Sequence, residues 1–293
     1  MFNIEDFEVV NSSNKHTLDA ILYIEKNLNS DLLRKLKKSG ILGIDSQKTD
    51  LVPLVVDLFK NNQTTKELFR QSTKSNEILT NLWVSNIRKK AEEKVLLKKD
   101  FKKFQALTRN DLKEIAAYSN IQDKYLELEN ILLDYGIILI YCKNIEGMKT
   151  DAVTFKLNNG TPVIGMSLRF ARYDHFWFTL MHELSHICLH IDLLDSPIID
   201  SLYDSEDNPI ENIEEDEIED QANMLARLSL IPRNIWAKCK ARFTVSDKLL
   251  VDFSTKYNID VSIVAGFIRY EQQKYFLYKE FQKDILRDKL LGN

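Results

Sequence analysis

Cysteine is scarce in this chain: three residues in 293, at Cys142, Cys188 and Cys239. The number is odd, the spacing is wide and no C-x-x-C pair occurs. This argues against a disulfide framework and suits thiols kept reduced in a cytoplasm. Apolar runs of membrane-spanning length are also missing. The first residues, Met1-Phe2-Asn3-Ile4-Glu5-Asp6, are acidic and carry no signal-peptide core. A cytoplasmic protein with no membrane contact is expected. Glycine is sparse, eight in all, and no glycine-rich linker divides the chain, so domain boundaries are soft. No strong excess of one charge exists either. The net charge of -4 argues against wholesale nucleic-acid binding. What remains is 44% hydrophobic and 29% charged, enough for a sizeable core in one large or two smaller domains.

Residues 1–130 read as a mainly helical region. Leu18, Ile21, Leu22, Ile24 and Leu28 follow helical spacing, as do Leu32, Leu33 and Leu36 before a break at Ser39-Gly40. Leu51 to Phe59 is a further amphipathic run, with Pro53 tolerable in its first turn. A polar break at 61–65 follows. Ile78, Leu82, Val84 and Ile87 lead into a basic helix ending near Lys103. Its run of Arg88-Lys89-Lys90, Lys94, Lys98-Lys99 and Lys102-Lys103 reads as a solvated face, partly neutralised by Glu92, Glu93 and Asp100. No aromatic or glycine pattern of a nucleic-acid reader interleaves it.

The pattern changes after Tyr135-Gly136. Ile137 to Tyr141 reads as a buried strand, and Ala152 to Leu157 alternates as a half-exposed one. Asn158-Asn159-Gly160 is a hairpin turn, and Pro162 to Leu168 returns. The fold class expected is α+β: a small three-stranded, largely antiparallel sheet packed on helices. The domains expected are the helical region 1–130, a catalytic-type domain over 131–270 and a C-terminal helix over 271–293.

Chemistry concentrates in Trp177 to His190, which contains His182-Glu183-Leu184-Ser185-His186. On a helix, residues four apart lie on one face about a turn apart. Two imidazoles so placed can take two corners of a zinc tetrahedron, and Glu183 between them can act as a general base. A chance H-E-x-x-H in a chain this long is on the order of one in a hundred. This one lies in a segment apolar nearly all round, as a buried helix is. Burying two histidines and a glutamate costs several kcal/mol unless they are paired or metal-bound. Asp174 is the expected N-cap of this helix.

A third ligand is needed. An acidic stretch, 204–220, reads as a solvated loop whose end becomes a helix stopped at Ile231-Pro232. Glu219 on that helix can supply a carboxylate, with Asn223 one turn on as its hydrogen-bonding neighbour. His190 is the alternative, but eight residues after His182 it lies about 12 Å along a continuous helix. One ion cannot span that. Tyr173 and His175 are near the motif in sequence only. Leu249 to Ile268 forms two short helices with a tight turn, and Tyr270 to Leu291 a charged, aromatic-rich helix.

Asp174 to Leu180 leading into His182-Glu183, then Glu219-Asp220-Gln221-Ala222-Asn223 and Ile231-Pro232, resembles the ImmA/IrrE family of zinc metallopeptidases over roughly residues 130–270. The resemblance implies one Zn2+ per chain held by His182, His186 and Glu219, with Glu183 as catalytic base. It implies a cytoplasmic endopeptidase of narrow specificity whose partner is a protein substrate, a DNA-binding repressor or antitoxin-like protein. An extended substrate is expected along the sheet edge, with Val163 to Leu168 as that edge. Leu54 to Glu92 and Asn258 to Phe267 are similar to a longer branch of HigA-type antitoxin regulators. That branch implies the alternative, a non-proteolytic antitoxin-like or transcription-regulatory protein using the fold for binding or sensing. No helix-turn-helix is evident upstream, so direct DNA binding by this chain is not expected.

Overall fold

A computed structural model of the chain describes residues 12–61, 75–98, 102–202 and 217–292. The polar break after residue 61, Lys99 of the basic run and the acidic stretch 204–216 lie outside the described residues. Two compact units result, one within Met1–Lys90 plus Lys143–Met148 and one within Ala91–Cys142 plus Lys149–Asn293.

The first unit is helical: α1 (Ser12–Asn27), α2 (Ser30–Ser39), α3 (Val52–Asn61) and the first turns of α4 (Ser75–Leu97). Tyr23 and Ile24 of α1, Leu28 just beyond its end, and Leu32 and Leu36 of α2 are buried at helical spacing. The Asn29 side chain caps α2 by accepting from the Leu32 N–H at 2.9 Å. Gly40, at φ +79°, ends it.

In the second unit, α5 (Arg109–Ala117) starts with a capping box between Thr108 and Asp111. Helix α6 (Leu128–Asp134) leads through Gly136 into the sheet. Gly136 has φ +75°, and a Cβ there would lie 2.5 Å from the Phe104 backbone nitrogen. Both demands require glycine. The basic run is shorter as a helix than expected, because α4 stops at Leu97. It is also less solvated, since Lys94 donates to Glu129 (2.6 Å) and to the Leu139 carbonyl (3.2 Å).

The sheet has four strands, not three: β1 (Ile138–Tyr141), β2 (Ala152–Lys156), β3 (Pro162–Met166) and β4 (Ile198–Asp200), in the order β1-β3-β2-β4. β2 pairs antiparallel with β3 and β4, but β1 pairs parallel with β3. The turn behaves as its residues require, with Gly160 at φ +82° and its N–H on the Leu157 carbonyl. The expected substrate edge fails. Residues 162–166 lie between β1 and β2, and the edges are β1 and β4.

Helix α7 (Tyr173–His190) packs on this sheet and on α8 (Glu217–Leu230). Along α7, Phe178, Cys188 and Leu189 are half-buried and the rest is buried. Tyr173 and Phe176 pack edge-on with Tyr125, and Trp177 packs edge-on with Tyr173 and Phe176. Asp174 is not the N-cap. The helix begins one residue earlier, and the carboxylate pairs with Arg172 (2.6 Å) and with Arg269 (2.8 Å). That Arg269 lies on α10 (Val261–Gln272), which follows α9 (Asp247–Tyr257) through Asn258 at φ +51°.

The C-terminal segment corrects a further expectation, because 273–292 is not one continuous helix and only Arg287–Leu290 forms an α-helical turn. Gln273, at φ +56°, closes α10. The chain then runs back along the start of α7, where Tyr173 N–H bonds Lys283 O and Ile285 N–H bonds Ala171 O. Backbone groups that a helix would pair internally are paired here across the segments. Among the described residues no helix is long and apolar enough to cross a membrane.

Candidate metal centre

Helical pitch brings His182 and His186 together on the buried face of α7, both fully inaccessible. Their Nε2 atoms are 2.9 Å apart. The adjoining helix α8 delivers Glu219, whose Oε2 lies 3.2 Å from His182 Nε2 and whose Oε1 lies 3.5 Å from His186 Nε2. Side chains alternate along a strand, so β2 turns Ala152 and Thr154 to the same face. Asp200 and Ile198 of β4 stand opposite them in register. Asp200 Oδ2 is 3.6 Å from His182 Nε2 and 4.0 Å from His186 Nε2. The four ligand atoms of His182, His186, Asp200 and Glu219 all lie within 4.8 Å of one another.

The outer nitrogens of both rings are committed. His182 Nδ1 is 3.1 Å from Asn223 Oδ1, one helical turn past Glu219. His186 Nδ1 is 3.2 Å from His190 Nδ1, and His190 Nε2 is 3.1 Å from Gln221 Oε1. Gln221 in turn donates to Glu217 at 3.0 Å. An amide oxygen only accepts, so His182 carries its proton on Nδ1. By the same logic His190 carries its own on Nε2 and accepts from His186 Nδ1. As these amides are oriented, both Nε2 atoms face the cluster, where they can bind a cation or share a proton. His190 therefore orients a ring of the cluster and takes no corner of it.

Glu183 is also fully buried. It turns to the sheet, where Thr154 Oγ1 donates to its Oε2 at 2.5 Å. Its Oε1 has no hydrogen-bond partner among the described residues. Burial, reinforced by the Asp200 carboxylate, pushes the Glu183 carboxyl well above the usual range. Burial works to lower His182, but the Asp200 and Glu219 carboxylates outweigh it and push it up to about 10. Glu219 shows the complement: burial raises it, yet the hydrogen bonds from His182 and His186 hold it well below the usual carboxylate range. The cluster without a metal thus holds a proton where a cation fits.

Sequence reasoning missed Asp200 and Thr154. Thr154 was legible as one face of an alternating strand, but which face met the helix was not. Asp200 ends a three-residue strand with no periodicity to read. Of the other neighbours in sequence, Tyr173 faces away, its hydroxyl donating to the Ser119 carbonyl at 2.7 Å. His175 lines a recess, partly open to solvent, that runs past Phe178, Asn223, Arg227 and Tyr270. Phe178 packs against the His182 ring at 6.2 Å, so this recess begins beside the cluster. The Arg227 guanidinium lies 3.9 Å from the Tyr270 ring centre and covers part of its wall.

Fold and cluster define a class: an α+β domain with a buried histidine–carboxylate centre of metal-ligating chemistry on an H-E-x-x-H helix. Residues 134–265 match the family model described as Peptidase_M78, IrrE N-terminal-like domain. Over those residues, a little under half of the chain, the domain is similar to the IrrE N-terminal-like domain. No curated protein matches the chain.

Proposed function

We propose that the domain is a zinc-dependent endopeptidase of narrow specificity that cleaves a regulatory protein, a repressor or an antitoxin-like protein. The carrying observation is the pair of Nε2 atoms 2.9 Å apart with both Nδ1 atoms committed elsewhere. Two bare lone pairs at that distance repel unless a cation or proton lies between them. The donor set fits zinc, which accepts imidazole and carboxylate at about 2.0–2.2 Å. His182, His186 and Glu219 would hold the ion. When bound, zinc polarises a carbonyl and brings the pKa of a water towards roughly 7.

The chain's own groups supply the rest. Glu183 accepts the proton of the attacking water and delivers it to the leaving amine. Its raised affinity for a proton suits the second half of that task. Thr154 holds its other oxygen and fixes the rotamer. Asn223 and His190 keep the two rings aimed. An extended substrate pairs with the free edge of β4 and places a side chain in the recess beside Phe178. The choice of a regulatory protein as substrate rests on the family resemblance.

The test is co-expression with the products of neighbouring genes, wild type against Glu183→Gln, followed by mass spectrometry. The expected outcome is a partner cleaved by wild type and intact with the variant, at equal zinc content. Equal cleavage with both would remove Glu183 from the chemistry. No cleavage of any neighbour would leave the alternative, a regulator that binds without cutting.

A further inference from the structure

The peptidase reading uses three of the four side chains in the cluster. Asp200 is left over. It is 5% exposed, and its Oδ2 has no hydrogen-bond partner among the described residues. From that oxygen His182 Nε2 lies at 3.6 Å and His186 Nε2 at 4.0 Å, both longer than a hydrogen bond. It is aimed at these two nitrogens. A tetrahedral zinc site with bonds of about 2.0–2.2 Å has ligand-to-ligand edges of about 3.3–3.6 Å. The Glu219 distances to the rings are 3.2 and 3.5 Å, and those of Asp200 are 3.6 and 4.0 Å. Asp200 stands toward the fourth corner, its distances to the two rings matching or exceeding those edges by up to about 0.4 Å.

We propose that Asp200 is a fourth protein ligand to the metal, and that it closes the centre in this conformation. The consequence rests on the peptidase reading. Catalytic zinc sites keep one position open, whereas sites closed by four side chains are structural. With Asp200 in place, neither water nor a substrate carbonyl has a position, and the enzyme is held latent. The strand bearing Asp200 is suited to a latch. It is three residues long, lies at the sheet edge and, among the described residues, pairs with β2 alone. Its end is tied by Asp151, whose N–H bonds the Asp200 carbonyl at 2.7 Å and whose carboxylate accepts the Leu202 N–H at 2.7 Å. Arg169 in turn clamps that carboxylate at 2.9 and 3.0 Å. A substrate or partner strand that takes the β4 edge can pull Asp200 back without moving α7 or α8, which carry the other ligands.

The test uses the full chain loaded with cobalt(II), whose visible spectrum reports its ligands. Wild type is compared with Asp200→Ala and Asp200→Asn, each titrated with acetohydroxamate as a small competitor for an open position. The expected result is a changed visible spectrum in both variants. Hydroxamate should bind Asp200→Ala at least roughly tenfold more tightly than wild type, and metal should leave the variants to a chelator roughly tenfold faster. Asp200→Asn keeps the shape of the side chain, so a folding defect confined to Asp200→Ala does not remove the readout. Spectra, hydroxamate affinity and metal release identical to wild type in both variants would overturn the proposal. These readouts are separate from proteolysis. If the peptidase reading alone is wrong, the spectra still change while no partner is cut.

Discussion

Replacing Asp174 by Asn tests how α7 is anchored, and its magnitude can be worked from the structure. The carboxylate is 8% exposed and bonds Arg172 through two nitrogens, at 2.6 and 3.1 Å, and Arg269 at 2.8 Å. Arg269 itself is 1% exposed. Burial alone pushes the Asp174 carboxyl up, but His175, Arg172 and Arg269 outweigh it and hold it at about 2 against an ordinary 3.8. That difference corresponds to about 2 kcal/mol of stability. The folded pKa is depressed, so this contribution is present in full above about pH 4 and is lost as pH falls towards 2. The Asn variant loses it and also removes a charged partner of a buried guanidinium, which brings the expected loss at pH 7 to about 3 kcal/mol. No relief comes from α10, because Gly266 is already against the carboxylate. A Cβ there would lie 2.5 Å from Asp174 Oδ2. Urea unfolding of both proteins, each saturated with zinc and each in chelator, measures the loss separately from metal linkage. The gap between them should narrow as pH drops below about 4. A loss under about 1 kcal/mol at pH 7, or a gap that widens in acid, would refute the argument.

Three further outcomes are expected. Glu219→Ala should lose most of the zinc from purified protein by metal analysis, while Glu217→Ala, which removes an exposed carboxylate that accepts from Gln221, should keep it. Asn223→Ala frees His182 Nδ1 and should weaken zinc binding about 10- to 100-fold in a chelator competition, with the fold unchanged by circular dichroism. Zinc needs a bare His182 Nε2, and the metal-free ring holds a proton up to about pH 10. Binding at pH 7 should therefore release about one proton, and affinity should rise about tenfold per pH unit between 6 and 9. Calorimetric titration in buffers of different ionisation enthalpy reads this directly, and a pH-independent affinity would contradict it.

What was legible in the sequence was local. Helical pitch alone places His182 beside His186 and Glu219 beside Asn223, because positions four apart on a helix face one way wherever the helix goes. Asn158-Asn159-Gly160 needed only its own tolerance of positive φ to make the turn between β2 and β3. The rest depended on partners far along the chain. Short apolar runs such as Ile138–Tyr141 carry no direction, so the parallel pairing of β1 with β3 came from packing and not from pattern. The segment after Gln273 offered aromatic residues compatible with a helix, yet its backbone is paired with residues 171–173, about a hundred positions earlier. Asp200 is the sharpest case. Three residues have no period, and only the β2 register opposite Ala152 turns its carboxylate into the cluster. A ligand set is a set of distances, and the fourth distance here is made by a strand pairing that no local property of Ile198-Ile199-Asp200 encodes.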